Sequence, residues 1–193
     1  LALKAALGEF ADDILASARV VATLAEALEG TVFAAALTAR KREMAVPMMW
    51  AREAAGEIVG RAAFGDVALV FGNETKGLSN EDVALCHMPV KIPVSEVYSS
   101  LNLGAAVQVL CYELRMAALD PGEPPNLESE LATFEQVEGF FNHLDRAITA
   151  SGFFHPSNSK RLWPRLRRLF GRIQLEKDEI NILRGMLTAF EKK

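Results

Sequence analysis

Short runs of consecutive apolar residues alternate with stretches in which apolar residues recur every three to four positions over residues 1–119. The runs read as buried strands and the stretches as amphipathic helices. Thr31–Ala36 and Val67–Phe71 are continuous runs that each abut a glycine, and Val90–Pro93 is a shorter one. Val20–Ala22 is a weaker strand candidate. Helices are expected over Leu24–Leu28, with Gly30 as the stop, over Ala51–Ala63, from Ser79 onward, and over Ser99–Leu119. Ser79 can cap its helix, and Asp82, three residues on, can answer it. Leu103, Val107, Leu110 and Leu114 fall on one stripe of the longest helix. Alternating strands and helices predict an α/β layer with a mostly parallel sheet.

Asp120–Asn126 interrupts this pattern with three prolines and a glycine, which cannot continue a helix. Beyond it the spacing is helical. Phe134, Val137, Phe140, Phe141, Leu144 and Ile148 mark one helix, and Ser159–Phe170 a second, bent or started at Pro164. Asp178–Phe190 is a third, with Ile180, Leu183, Leu187 and Phe190 on one face. The chain therefore divides into an α/β domain over 1–119, a linker over 120–130 and a helical extension over 131–193. So small a helical unit makes a modest core, and it is expected to pack on the α/β body or on a second subunit.

Composition sets outer limits. Of 193 residues, 50% are hydrophobic and 24% charged, as in ordinary globular proteins, which excludes collagen-like, low-complexity and wholly disordered readings. No apolar run is long enough for a membrane span, so no membrane partner is expected. Cys86 and Cys111 cannot build a disulfide framework or a multi-cysteine zinc site, and they fit a reducing, cytoplasmic setting. His87, His143 and His155 show no ligand spacing and read as packing or surface residues, so no metal is expected. No signal peptide is seen. The chain opens on Leu1 in what reads as the end of a helix, so it is expected to be a fragment.

Charge adds one feature. Residues 1–155 carry 11 Lys and Arg against 21 Asp and Glu, whereas residues 156–193 carry 10 against 4. The excess sits largely in Arg161, Arg165, Arg167, Arg168 and Arg172, within three helical turns. An acidic body with a basic end suggests an anionic partner such as RNA. The other reading is a solvated face whose arginines pair with acids of the body. Arg40 and Arg42, with Lys41, form a second basic cluster.

Two loops are candidates for chemistry. Phe71-Gly72-Asn73-Glu74-Thr75-Lys76-Gly77-Leu78 lies where a strand hands over to a helix, the usual ligand position in open α/β sheets. Gly72 would let a ligand approach the backbone and Gly77 would permit a tight turn. It is no Walker loop, since Gly-Lys-Ser/Thr is absent. Tyr98-Ser99-Ser100-Leu101-Asn102-Leu103-Gly104 opens the long helix, and its polar residues can equally be helix caps.

As a pair, these loops resemble the second and third motifs of the SpoU-type RNA ribose 2′-O-methyltransferases of the SPOUT superfamily. The stretches Ala68–Glu81 and Tyr98–Gln108 are similar to the subgroup that methylates cytidine or uridine 32 of tRNA. So is the tail, where Leu166–Phe170 precedes Glu179–Gly185. The resemblance runs over nearly the whole chain. It implies an α/β fold with a parallel sheet whose C-terminal part is threaded into a deep trefoil knot, followed by the helical extension. It also implies a homodimer paired through the knotted region, with tRNA as partner. The cofactor would be S-adenosyl-L-methionine, held by Leu37, Thr38, Ala39, Gly72, Ile92, Ser100 and Leu101.

The resemblance assigns positioning of the reacting groups to Glu74, Ser100 and Asn102, and activation of the ribose hydroxyl to an arginine in a first motif. No Asn-x-Gly-x-x-Ala-Arg string occurs here, so that arginine is expected upstream of Leu1. Leu37 stands where related enzymes carry a small polar residue. RNA contacts are expected from Arg40, Arg42, Arg161, Arg165, Arg167, Arg168 and Arg172. Two rivals stay open: a 2′-O-methyltransferase of ribosomal RNA, and a non-catalytic knotted RNA-binding module.

Overall fold

The computed structural model describes residues 14, 16–39, 47–95, 101–120, 129–153 and 162–191. In chain order the elements are α1 (Leu24–Ala27), β1 (Phe33–Leu37), β2 (Met49–Trp50), α2 (Ala51–Ala62), β3 (Val67–Phe71), α3 (Asn80–Ala84), β4 (Met88–Lys91) and α4 (Leu103–Leu119). Three helices of the tail follow: α5 (Phe134–Ala150), α6 (Leu162–Ile173) and α7 (Lys177–Glu191).

The four strands form one parallel sheet in the order β2-β4-β1-β3. Register runs from Phe33 opposite Val67 to Leu37 opposite Phe71, and from Ala35 opposite Met88 to Leu37 opposite Val90. Strand β1 is buried on both faces, with the two-residue period of a strand sorting its side chains. Phe33 and Ala35 point into a core shared with Ala54 and Ile58 of α2 and Leu110 of α4. Ala34 and Ala36 point into the opposite core, with Leu28, Val70, Leu78, Cys86 and Phe134. Alanine is a weak strand former. Here its small side chain lets helical layers close over the centre of the sheet from both sides. Each fully buried large residue, such as Phe33, Ile58 or Leu110, contributes about 1.5–3 kcal/mol.

Most expected elements appear with shifted ends, and three differences have physical causes. Val20–Ala22 is irregular, and Val20 is fully exposed. Its chain is committed to capping α1 instead: the Glu26 N–H donates to Thr23 Oγ1, and the Ala22 N–H donates to Glu26 Oε2. Met49–Trp50 was not expected as a strand and becomes one by pairing with β4. Helix α4 starts at Leu103, capped by Asn102, and of its expected stripe only Leu110 is buried. Val107 is 37% exposed. The Ser79–Asp82 capping box is present in both directions, at 3.0 and 2.9 Å. Pro164 lies in the first turn of α6, where backbone donors have no intrahelical partner.

The tail has its own aromatic core. Phe140 meets the Phe170 ring edge-on at 4.9 Å, and Phe141 meets Trp163 at 6.5 Å. Its first residues are stitched into the body, since Leu131 and Phe134 belong to the two cores of the sheet. The Phe134 N–H donates to Thr31 O at 2.9 Å. On α7, Ile180 is buried and Leu183 and Leu187 pack inward, but Phe190 is 64% exposed. Residues 121–128 of the expected linker lie outside the described residues. Among the described residues no helix is long and apolar enough to cross a membrane.

Candidate cofactor cavity and basic helix

A cavity of about 360 Å³ opens at the carboxyl ends of β1, β3 and β4. Its walls are apolar where the strands end, with Leu37, Phe71, Val90 and Ile92, and again at Val94, Leu101, Leu103 and Ala106. Thr38 and Ala39 extend β1 along one side, and the Thr38 N–H donates to Val90 O at 3.0 Å. The loop from Gly72 to Leu78 closes the other side.

That loop is a small built structure. Asn73 and Gly77 form an antiparallel bridge, with the Gly77 N–H donating to Asn73 O at 2.9 Å. The Lys76 N–H donates to Asn73 Oδ1 at 2.6 Å. Gly77 adopts a φ of +66°, as a tight turn requires. Gly72 has a task besides the one expected. A Cβ there would lie 2.1 Å from the Gly77 carbonyl carbon and 2.3 Å from the Leu78 nitrogen. The loop's own returning backbone fills that space, so closure of the loop by itself requires glycine at this position, which also lines the cavity.

Glu74 ties this loop to the second one. Its Oε1 accepts from Asn102 Nδ2 at 2.9 Å and from the Leu103 N–H at 3.4 Å. Asn102 Oδ1 in turn accepts from the Gly104 and Ala105 N–H groups at 2.9 and 3.3 Å. Asn102 is therefore a helix cap and a tether at once, because its amide donor and its carbonyl acceptor serve different partners. The carboxylate sits at the N-terminus of a 17-residue helix, where negative charge is favoured.

Leu37, Thr38, Ala39, Gly72, Glu74, Ile92 and Leu101 thus all line one cavity, with Asn102 joined to it through Glu74. Ser100, Arg40, Arg42 and Arg161 lie outside the described residues. The sequence reading missed Asn73, Lys76, Val94 and Ala106. Asn73 carried a usable signal, since asparagine commonly folds its side chain onto the backbone of a turn.

Residues 2–112 match the SpoU rRNA Methylase family. The chain belongs to the SpoU methylase family. Residues 135–193 match a second family, described as the C-terminal domain of tRNA methyltransferase TrmJ. A protein of Pectobacterium atrosepticum named tRNA (cytidine/uridine-2′-O-)-methyltransferase TrmJ is 40% identical over 190 residues, covering 97% of this chain and 79% of that protein. One of Pseudomonas aeruginosa, named tRNA (cytidine/uridine/adenosine-2′-O-)-methyltransferase TrmJ, is 44% identical over 193 residues, covering 94% and 75%. The crystal structure of TrmJ from Z. mobilis ZM4 superposes with a TM-score of 0.79 at 32% identity, covering 95% of this chain and 78% of that one.

In this SpoU family member the basic helix sorts its arginines by face. At about 100° per residue, Arg165, Arg168 and Arg172 share a side of α6 and Arg167 lies opposite. Arg165 and Arg172 are exposed and Arg168 is half-buried. None of the three forms an ion pair among the described residues. Arg167 departs from the RNA-facing role expected of it. Its guanidinium pairs in a fork with both oxygens of Glu138, at 2.5 and 2.9 Å, and stacks 4.5 Å from the centre of the Phe141 ring.

The half-buried His87 and the buried Cys86 serve packing. His87 Nδ1 accepts from the Ala34 N–H at 3.1 Å while the His87 backbone N–H donates to Ala34 O at 2.9 Å, and the His87 ring stacks on Phe33. Burial, then the charge of Arg61, push this imidazole down to about 4. Burial, with the charge of Asp82 adding to it, pushes the Cys86 thiol up to about 12, so it is no nucleophile at neutral pH. His143 is buried with Nε2 3.2 Å from Glu191, and His155 lies outside the described residues. Among the described residues no three His, Cys, Asp or Glu converge on a metal-sized site.

Proposed function

We propose that this SpoU methylase transfers a methyl group from S-adenosyl-L-methionine to a ribose 2′-hydroxyl of tRNA, at the cytidine or uridine in position 32 of the anticodon loop. The observation that carries this reading is the bond between Glu74 and Asn102, which joins the two candidate loops around one cavity. The named activities of the relatives and the match of the tail to a tRNA methyltransferase domain favour tRNA over ribosomal RNA. The description of the matched family as rRNA methylases favours the second reading.

The cavity suits the cofactor. About 360 Å³ lies within the range of small-molecule sites, and its apolar walls with a few polar groups suit an adenosine. Leu37, Thr38, Ala39, Gly72, Ile92 and Leu101, with Ser100, would hold it. When bound, S-adenosyl-L-methionine supplies an electrophilic methyl group on a good leaving group. The chain's work is then to align the hydroxyl oxygen and to exclude misaligned approaches. Glu74 and Asn102 supply a carboxylate and an amide already fixed to each other, so little reorganisation is needed on binding. The proton of the hydroxyl is assigned to no residue of this chain, because the motif that carries the family's arginine does not occur in it.

The reading extends to the whole assembly. It includes a threaded trefoil knot, a cytoplasmic enzyme, and an α/β domain over 1–119 joined through 120–130 to the extension over 131–193. RNA contacts fall to Arg165, Arg168 and Arg172, with Arg40, Arg42 and Arg161. A homodimer would cover the face of α4 on which Tyr112, Met116 and Leu119 are 57%, 45% and 61% exposed. Sedimentation at micromolar concentration tests the dimer, and a stable monomer refutes it.

The activity is tested with labelled S-adenosyl-L-methionine and an unmodified tRNA transcript. Label enters the transcript and is lost when nucleotide 32 carries a 2′-deoxyribose. Label that survives this change moves the target elsewhere. Labelling of ribosomal RNA alone selects the second reading.

A further inference from the structure

The function proposed above gives no task to Lys76. Among the described residues that line the cavity it is the sole lysine or arginine, as Glu74 is the sole acid. The loop holds its backbone from both sides, through the Lys76 N–H bond to Asn73 Oδ1 and the Gly77 N–H bond to Asn73 O. The residue is exposed and forms no ion pair among the described residues. Glu74, two positions away, is already engaged by Asn102 and Leu103. The turn therefore presents a cation at the cavity rim, with the neighbouring carboxylate turned to another partner.

An ammonium beside a sulfonium and an amino group is repelled by both, so an anion is its fitting neighbour. A ribose within an RNA strand brings a phosphodiester on each side, one backbone unit from its 2′-hydroxyl. We infer that Lys76 contacts a phosphodiester flanking the target ribose and fixes the register of the strand over the cavity. Phosphate contacts set position without reading bases, and lysine serves as a point charge on a flexible stem. The exposed rim is where a polymer too large to enter the cavity must lie. The inference rests on the reading of this cavity as an RNA methylation site.

The test compares the parent protein with Lys76→Gln and Lys76→Arg. Binding of an unmodified tRNA transcript is followed by fluorescence anisotropy over a range of potassium chloride concentrations. Calorimetry with S-adenosyl-L-methionine gives cofactor affinity on the same preparations. In Lys76→Gln the slope of log K against log salt becomes shallower by about 0.7–0.9, the value of one phosphate contact. In Lys76→Arg the slope matches the parent, and cofactor affinity is the same in all three. A parental slope in Lys76→Gln overturns the inference. Loss of cofactor affinity with an unchanged slope also overturns it and gives Lys76 to the cofactor's carboxylate. If the parent binds neither the transcript nor the cofactor, the functional reading itself fails, and the inference falls with it.

Discussion

The Gly72–Leu78 loop and helix α6 fix their charged side chains by different means. In the loop, position comes from backbone closure: a missing Cβ at Gly72, a left-handed Gly77 and the turn bonds of Asn73. In α6, position comes from periodicity, which sends Arg167 inward to Glu138 and Arg165, Arg168 and Arg172 outward. A loop of the first kind tolerates almost no change at its closing residues. A helix of the second kind tolerates exchange on its outer face and depends on its inner one.

The sharpest way to break the comparison is Gly72→Ala. The added carbon overlaps backbone, which no side-chain rotation relieves. We expect a cost of about 1–3 kcal/mol and loss of measurable cofactor binding. Calorimetry and thermal melting check both, and parental values in both would refute the closure argument.

His87 lies between the α/β body and the helical tail, beside a cavity of about 40 Å³ that also touches Phe134 of α5 and Arg167 and Phe170 of α6. Its imidazole is held neutral with a folded-state value near 4 against an ordinary 6.5. The unfolded chain binds the proton first, so stability falls as pH drops from about 6.5 toward about 4. The loss expected from this group is roughly 2–3 kcal/mol. His87→Gln removes the titration and flattens that limb. Urea midpoints for parent and variant at neutral and mildly acid pH measure the difference, and parallel profiles would contradict it.

A smaller effect separates the faces of α6. Arg167→Met strands Glu138 in a half-buried place and should cost about 1–2 kcal/mol, with the salt dependence of RNA binding little changed. Arg165, Arg168 and Arg172 replaced together by Gln should leave stability nearly intact and flatten the salt slope by about 2. Reversed outcomes would place the RNA on the other face. Smallest is Asn102→Ala, which removes a cap worth about 1 kcal/mol together with the Glu74 tether. Methyl-transfer rate per folded molecule should fall more than cofactor affinity. An unchanged rate would make Asn102 a cap alone.

These contrasts also explain what was legible in the sequence. Val67–Phe71 was readable because a continuous apolar run ending at glycine has few other interpretations, and the Ser79–Asp82 box is local chemistry. Met49–Trp50 was not, because a two-residue strand exists only through the partner strand beside it. The cavity residues were placed by the paired loops, yet the closure role of Gly72 required seeing the chain return so near that no Cβ fits. The split role of Arg167 was present in the helical period. Charge counting hid it by treating all the arginines as one patch.

The strand order has a consequence in time. β4 is the last of the four strands to be synthesised, yet it occupies the slot between β2 and β1. Until residues 88–91 leave the ribosome, one edge of β1 and one edge of β2 have no neighbour, and both present free N–H and C=O groups to other chains. The nascent protein thus passes through an interval in which its future centre is an open edge. That interval ends only when the strand that follows the cavity loop inserts. Slowing translation while residues 88–91 are still inside the ribosome should lengthen the exposure and raise aggregation, whereas slowing it after they have emerged should not.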